Sequence, residues 1–312
     1  MNLQNLINSF ISSPSPDSQI LQELFQIYKT ATKNINYSQK NEAKFTTIDA
    51  EACFLDLNRT WILAKSLIVQ THCNGSLSKQ PSKLSILEAG SGTGIIAIIA
   101  AILNPNLHIL GLEINPETYE KSKAFIKYLN LDNQIQILNL DATDPNLAKK
   151  IQSSIFNIIF SETLSGGLFF EPQLQIMQNI RKFLKPNGIL IPQKISLYLH
   201  LEDPFIREPL TENIKYAEIN FQTYEKQIIS ANLQIPIKYS GTPNIIVILS
   251  ELQLTNEIKT QTDSRYNNFL NRAVIEIPKE RQIKLKEADI LNLQITYQAG
   301  SSTNSCDLQI NH

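Results

Sequence analysis

The run Glu88-Ala89-Gly90-Ser91-Gly92-Thr93-Gly94, followed at once by the apolar stretch Ile95 to Leu103, constrains this chain more than any other segment. Three glycines at alternate positions suit a backbone with positive φ and leave no Cβ between the main chain and a ligand. The apolar residues before them, Ser85–Glu88, read as a strand, and Thr93–Leu103 reads as a helix. Strand, glycine turn and helix in that order open a parallel α/β unit. The free N–H groups of the helix start then face whatever the turn binds.

The alternation continues downstream. Leu107–Glu113, Gln134–Leu140, Phe156–Ser161 and Gly188–Ile191 read as strands. Pro116–Leu129, Asn146–Gln152 and Leu174–Leu184 read as helices, the last stopped by Lys185-Pro186-Asn187-Gly188. This predicts an α/β fold with a Rossmann-like, doubly wound parallel sheet. Three helices precede it. Leu3, Leu6, Ile7 and Phe10 share a face, and Ile20, Leu21, Leu24, Phe25 and Tyr28 share another after Ser15-Pro16. The third is expected over Asp49 to Gln70, with Phe54, Leu57, Trp61, Ala64 and Leu67 inward; Thr71 to Lys83 reads as a polar connector. Beyond Pro192 the helical spacing stops. Ile195–His200, Tyr216–Phe221, Asn244–Leu252, Ala273–Ile277 and Leu291–Tyr297 alternate as strands do, which predicts an all-β, barrel-like or sandwich region. The expected division is 1–70 for the N-terminal helices, 71–192 for the Rossmann-like domain and 193–312 for the β domain.

Composition narrows the function classes. A net charge of −1 provides no field for nucleic acid or an anionic membrane, and neither is expected as a partner. Cys53, Cys73 and Cys306 form no framework, and His72, His108, His200 and His312 have no ligand spacing, so no metal is expected. The start, Met1 to Ile7, lacks a basic n-region, and the best apolar run, Ile95 to Leu103, is too short to cross a bilayer. A soluble, cytoplasmic protein is expected.

Three acidic residues fall at the carboxyl ends of three consecutive predicted strands. Glu88 ends the first. Glu113, nineteen residues after Gly94, ends the second, where a carboxylate accepts ribose hydroxyls. Asp141, with Ala142, follows the third, placed to accept from an adenine amino group. The glycine spacing is G-x-G-x-G rather than the G-x-G-x-x-G of dinucleotide binders. An anion at Glu88 repels a pyrophosphate and suits the ammonium of a methionine moiety. Gly90, Gly92, Gly94, Glu88, Glu113, Asp141 and Ala142 together therefore point to S-adenosylmethionine, and a nicotinamide-dependent reductase is disfavoured.

The fourth strand runs into Ser161-Glu162-Thr163-Leu164-Ser165-Gly166-Gly167-Leu168-Phe169-Phe170-Glu171. This stretch resembles the double-glutamate loop of the protein arginine N-methyltransferases, in the separation of Glu162 from Glu171 and in the Leu-Phe-aromatic-Glu ending. Phe183 to Pro192 is similar to the segment that leads into that family's β-barrel, and Asp56-Leu57-Asn58-Arg59-Thr60 to its N-terminal helix. By this resemblance Arg59 binds the methionine carboxylate of the cofactor. Glu162 and Glu171 hold a guanidinium, a planar fork of donors that carboxylates match bidentately. Dimerisation is common in that family, so a homodimer is among the assemblies implied.

Other features depart from the family. Leu164-Ser165-Gly166-Gly167 stands where a Met-Gly pair is usual, and Tyr266-Asn267-Asn268-Phe269 where a Thr-His-Trp loop is usual. These differences favour a small guanidino compound, such as agmatine or arginine, over peptidyl arginine. The N-terminal helices stand equally as a lid, as packing or as a dimer contact. A catalytically silent cofactor-binding scaffold stays as a further alternative.

Overall fold

The computed structural model describes residues 3–35, 45–72, 83–151, 155–262 and 271–311. Met1, Asn2, most of the connector 71–83 with Cys73, Gln152, the segment Tyr266–Phe269 and His312 lie outside the described residues. The chain divides into two compact units, one of residues 1–162 and 179–191, the other of residues 163–178 and 192–312. Among the described residues no helix is long and apolar enough to cross a membrane.

The first unit begins with helices α1 (Leu3–Ser12), α2 (Ser18–Thr32), α3 (Thr47–Leu55) and α4 (Leu57–His72). The single helix expected over Asp49 to Gln70 is thus two. Asp56 adopts an extended conformation (ψ 99°) between them and caps the second, its Oδ1 accepting from Arg59 N at 3.1 Å. An aspartate that bonds the backbone locally competes with a continuous helix, and here it breaks one. The start of α3 is closed by a capping box between Thr46 and Asp49.

Five strands follow, β1 (Leu84–Ala89), β2 (Leu107–Leu112), β3 (Ile135–Leu138), β4 (Phe156–Ser161) and β5 (Leu184–Ile191), interleaved with α5 (Ile95–Leu103), α6 (Pro116–Tyr128), α7 (Leu147–Lys150) and α8 (Gln173–Ile180). They form one parallel sheet in the order β3-β2-β1-β4-β5. The order reverses at β1 and β4, and ligands of such sheets bind at the carboxyl ends beside that reversal. One boundary differs from expectation. Leu184 already pairs with Phe156, and the ladder then jumps to Ile158 beside Ile189, so Lys185-Pro186-Asn187-Gly188 is an irregularity within β5 rather than a stop before it. Asn187 takes the left-handed conformation there, with φ 65°.

Helix α5 is apolar all round, and Ile95 to Ala101 are all buried. It needs cover from both sides. Helices α1 and α4 contact it, while α2 and α3 contact α6. The apolar faces of α1 (Leu6, Ile7, Phe10) and α2 (Ile20, Leu21, Leu24, Tyr28) are buried in this packing. An aromatic group of Phe25, Tyr28, Phe54 and Phe125 joins α2, α3 and α6. Of the three roles open to the N-terminal helices, packing is the one these contacts display.

The second unit is antiparallel. Strands β6 (Lys194–Glu202), β7 (Ile214–Asn220), β9 (Ile245–Gln253) and β10 (Lys259–Gln261) run in the order β10-β9-β6-β7, and β11 (Ala273–Glu276) also pairs with β9. A second sheet has the order β13-β12-β8, built from β8 (Ile228–Pro236), β12 (Ile290–Gln298) and β13 (Asp307–Asn311). The Rossmann-like sheet and the all-β region both agree with expectation.

Candidate active site

The glycine turn lies between β1 and α5. Gly90, Gly92 and Gly94 have φ of 73°, 53° and 79°, a region that costs any other residue. Gly90 N and Ser91 N donate to Leu112 O at 2.9 and 3.0 Å, pinning the turn to the end of β2. Gly92 N donates to Glu113 Oε2 at 2.8 Å. The other oxygen of Glu113 accepts from Asn115 N, also at 2.8 Å. Asn115 in turn caps α6, its Oδ1 accepting from Glu117 N and Thr118 N, and its Nδ2 donates to Phe45 O. Glu113 is therefore brought directly to the glycine turn, and each of its oxygens keeps a lone pair for a further donor.

Glu88 is buried at the end of β1, with Oε2 making no hydrogen bond. Burial, and then the charge of Glu113, push its carboxyl up to about 8. The Ser91 hydroxyl is also buried without a partner. Burial likewise raises Glu113, against the lowering effect of the N–H groups it accepts. Asp141 is different in kind. It is exposed just past β3, and its Oδ1 accepts from the amide and the hydroxyl of Thr143, both at 2.7 Å. Ala142 beside it is buried, and its carbonyl accepts from Asn179 Nδ2 at 2.8 Å.

Arg59, in the first turn of α4, forms an ion pair with Glu162, which follows β4. The Glu162 side chain is 6% exposed and that of Arg59 18%. A buried carboxylate without a counter-charge is costly, and a guanidinium is its best geometric match. Arg59, expected at the cofactor, thus meets one of the two glutamates expected at the acceptor.

The rest of the loop belongs to the second unit. Gly166 to Leu168 form a short 3-10 turn, and Gly167, Leu168 and Phe170 all have positive φ, of 67°, 60° and 64°. Two non-glycine residues held this way cost on the order of 1–3 kcal/mol each, so the surroundings must impose the shape. Gly167 N donates to Ser250 Oγ at 3.1 Å, and Gly167 O accepts from Tyr297 Oη at 2.8 Å. Gly300 N donates to Leu168 O at 2.8 Å, and Phe170 N to Ser301 O at 2.9 Å. Thr163, by its amide and hydroxyl, donates to Gln173 Oε1 at 2.9 and 2.6 Å. Glu171 follows this braced turn, its amide donating to Phe169 O at 2.7 Å. Ser250, Tyr297 and Gln173 carry no motif, and no sequence signal marks them.

A model described as a methyltransferase domain matches residues 80–262, more than half of the chain. The chain belongs to the methyltransferase-domain family. It is 29% identical over 167 residues to an uncharacterized protein of Methanocaldococcus jannaschii, covering 50% of this chain and 61% of that one. Protein arginine N-methyltransferase 8-B of Danio rerio is 34% identical over 115 residues, covering 36% of this chain and 26% of that protein. The chain thus matches less than two thirds of the length of either relative. The crystal structure of PRMT6 shares the fold, with a TM-score of 0.65 at 11% identity, covering 86% of this chain and all of that one.

For this methyltransferase-domain chain, family and relatives imply S-adenosylmethionine as the methyl donor. The residues present fit it. Three glycines without Cβ, two buried polar atoms without partners (Glu88 Oε2 and Ser91 Oγ) and the anchored carboxylate of Glu113 make a cradle suited to an ammonium and a ribose diol.

Proposed function

We propose that this chain methylates a guanidino nitrogen of a small molecule such as agmatine or arginine. The observation that carries the reading is the Arg59–Glu162 pair, in which one of the two loop glutamates binds a guanidinium supplied by the chain itself. A site that takes the Arg59 guanidinium has the charge and shape to take another.

When bound, S-adenosylmethionine supplies an electrophilic methyl group on a sulfonium. Glu88, Ser91, Glu113 and the three glycines would hold its amino acid and ribose ends, and Asp141 and Ala142 the adenine end. Arg59 would bind the methionine carboxylate and would release Glu162 on doing so. Glu162 and Glu171 would take the acceptor guanidinium as its two carboxylate partners, orient one terminal nitrogen towards the methyl group, and offset two positive charges that would otherwise meet in a dry site. One of these glutamates would also take the proton that the acceptor nitrogen gives up on methylation.

Preference for a small acceptor over peptidyl arginine is supported by the closeness of main chain to the loop. A Cβ on Gly166 would stand 1.8 Å from Asn271 O, so the loop is covered there. The reading has the chain acting in the cytoplasm, as a homodimer or alone. The test is methyl transfer from labelled cofactor to agmatine, arginine, guanidinoacetate and an arginine-rich peptide. Labelling of a small guanidine, lowered on the order of 100-fold by Glu171→Gln, is expected. Labelling of the peptide alone would assign the chain to peptidyl arginine. Cofactor binding without any transfer would make it a scaffold.

A further inference from the structure

Two buried tyrosines in the second unit have no part in the chemistry above. Tyr297, on β12, places its hydroxyl 2.8 Å from Gly167 O and 2.8 Å from the hydroxyl of Tyr216, on β7. The Gly167 carbonyl can only accept, so Tyr297 donates to it. Its own oxygen is then left to accept from Tyr216. Burial raises both phenols above their ordinary range, so both keep their protons at any physiological pH. The result is a directed relay, Tyr216 to Tyr297 to Gly167. The Tyr297 ring also stacks on Phe169, with centroids 4.2 Å apart and planes 23° from parallel.

The relay ends on the turn that leads into Glu171. Gly167, Leu168 and Phe170 are held there in left-handed backbone, and Glu171 is the next residue. Backbone of that kind persists only where its surroundings over-determine it. Ser250 ties the N–H of Gly167 and Tyr297 ties the carbonyl. We infer that Tyr297, supported by Tyr216, is a positioning residue that sets the direction of the Glu171 carboxylate and thereby the fit of the acceptor guanidinium. The inference rests on the proposed role of Glu171, but the brace itself does not.

Tyr297→Phe keeps the ring against Phe169 and removes only the hydroxyl. Acceptor turnover divided by its KM is expected to fall at least tenfold, with the dissociation constant of S-adenosylmethionine nearly unchanged and the melting temperature lowered only by the few degrees that two orphaned buried groups cost. Tyr216→Phe leaves the bond to Gly167 in place and is expected to have a smaller effect of the same kind. Hydrogen exchange over Gly167 to Glu171 should accelerate in Tyr297→Phe by a similar factor, whether or not an acceptor is known. Normal acceptor kinetics, or equal losses in cofactor affinity and acceptor use, would overturn the positioning role. If the wild-type chain methylates no guanidine yet exchange accelerates in the variant, the acceptor assignment fails and the brace stands. Unchanged exchange would remove the brace itself.

Discussion

Two glycine turns of the chain need glycine for different reasons. Around Gly92 and Gly94 there is room: a Cβ would find nothing closer than 3.9 and 3.7 Å, and only the positive φ asks for glycine. Around Gly166 there is none, because Asn271 O would lie 1.8 Å from a Cβ and Ala273 N 3.0 Å from it. The polar groups differ in the same sense. The first turn leaves Glu88 Oε2 and Ser91 Oγ buried without partners; the second leaves Ser165 Oγ so, but has its main-chain groups taken up by Ser250, Tyr297, Gly300 and Ser301. A turn with open space and unmatched polar atoms is built to receive a ligand. A turn without open space and with its main chain tied on both sides is built to hold its neighbour still.

That contrast is open to direct attack. Gly166→Ala should destabilise the chain by about 3 kcal/mol or more, since main chain on both sides cannot yield. Gly94→Ala should cost only the torsional strain of about 1–2 kcal/mol. Thermal denaturation of the two variants would rank them, and equal losses would break the distinction between a steric and a torsional glycine. Next in size, Glu113→Ala is expected to weaken S-adenosylmethionine about tenfold in calorimetry, equivalent to about 1.4 kcal/mol. Gly92 N would lose its acceptor, so the receiving turn loosens while the second turn is untouched. Unchanged affinity would show that the first turn does not receive the cofactor through this carboxylate.

The last expected effect is a slope with pH. The folded chain keeps a proton on Glu88 up to about 8, while the unfolded chain gives it up near the ordinary 4.5. Within that window the native state binds more protons, so stability falls as pH rises and levels off above it. The melting temperature of the ligand-free chain should therefore decline by a few degrees across the window, and Glu88→Gln should flatten the decline. Glu113 shifts in the same direction and leaves a residual slope. An unaltered slope in Glu88→Gln would mean that the receiving turn is not where the strained proton sits.

Much of the first unit is legible in the sequence because one element of the pattern repeats. Predicted strand Phe156–Ser161 coincides with β4, and α6 ends one residue before the expected Leu129. Alternating short apolar runs and capped helices leave few other readings. Asp56 escapes because nothing in its neighbours distinguishes a helix break from a polar helix face. Strand β8 escapes because Ser230, Asn232 and Gln234 carry little β signal and its ends are exposed; its pairing to β12 across its full length defines it. β13 has a single buried residue, Leu308, and depends on the same partner. At the candidate site, side chains suited to a ligand are readable, since their residue types are dictated by its chemistry. Ser250, Tyr216, Tyr297 and Gln173 serve main chain or one another, and any donor or acceptor of the right length does that. The Arg59–Glu162 contact is hidden for another reason: each residue suits a ligand group by itself, so neither asks for the other.

Asn115 joins what the chain order separates. Through one backbone N–H and one side chain it grips Glu113, the start of α6 and the carbonyl of Phe45. Gly92, Glu113, Asn115 and Phe45 thus form an unbroken line of bonds from the glycine turn to the threshold of α3. Such a line behaves like a keystone course: tightening it at the glycine turn tightens the residues that lead into the N-terminal helices. Those helices, packed as scaffold, inherit the occupancy of a cradle to which they contribute no glycine.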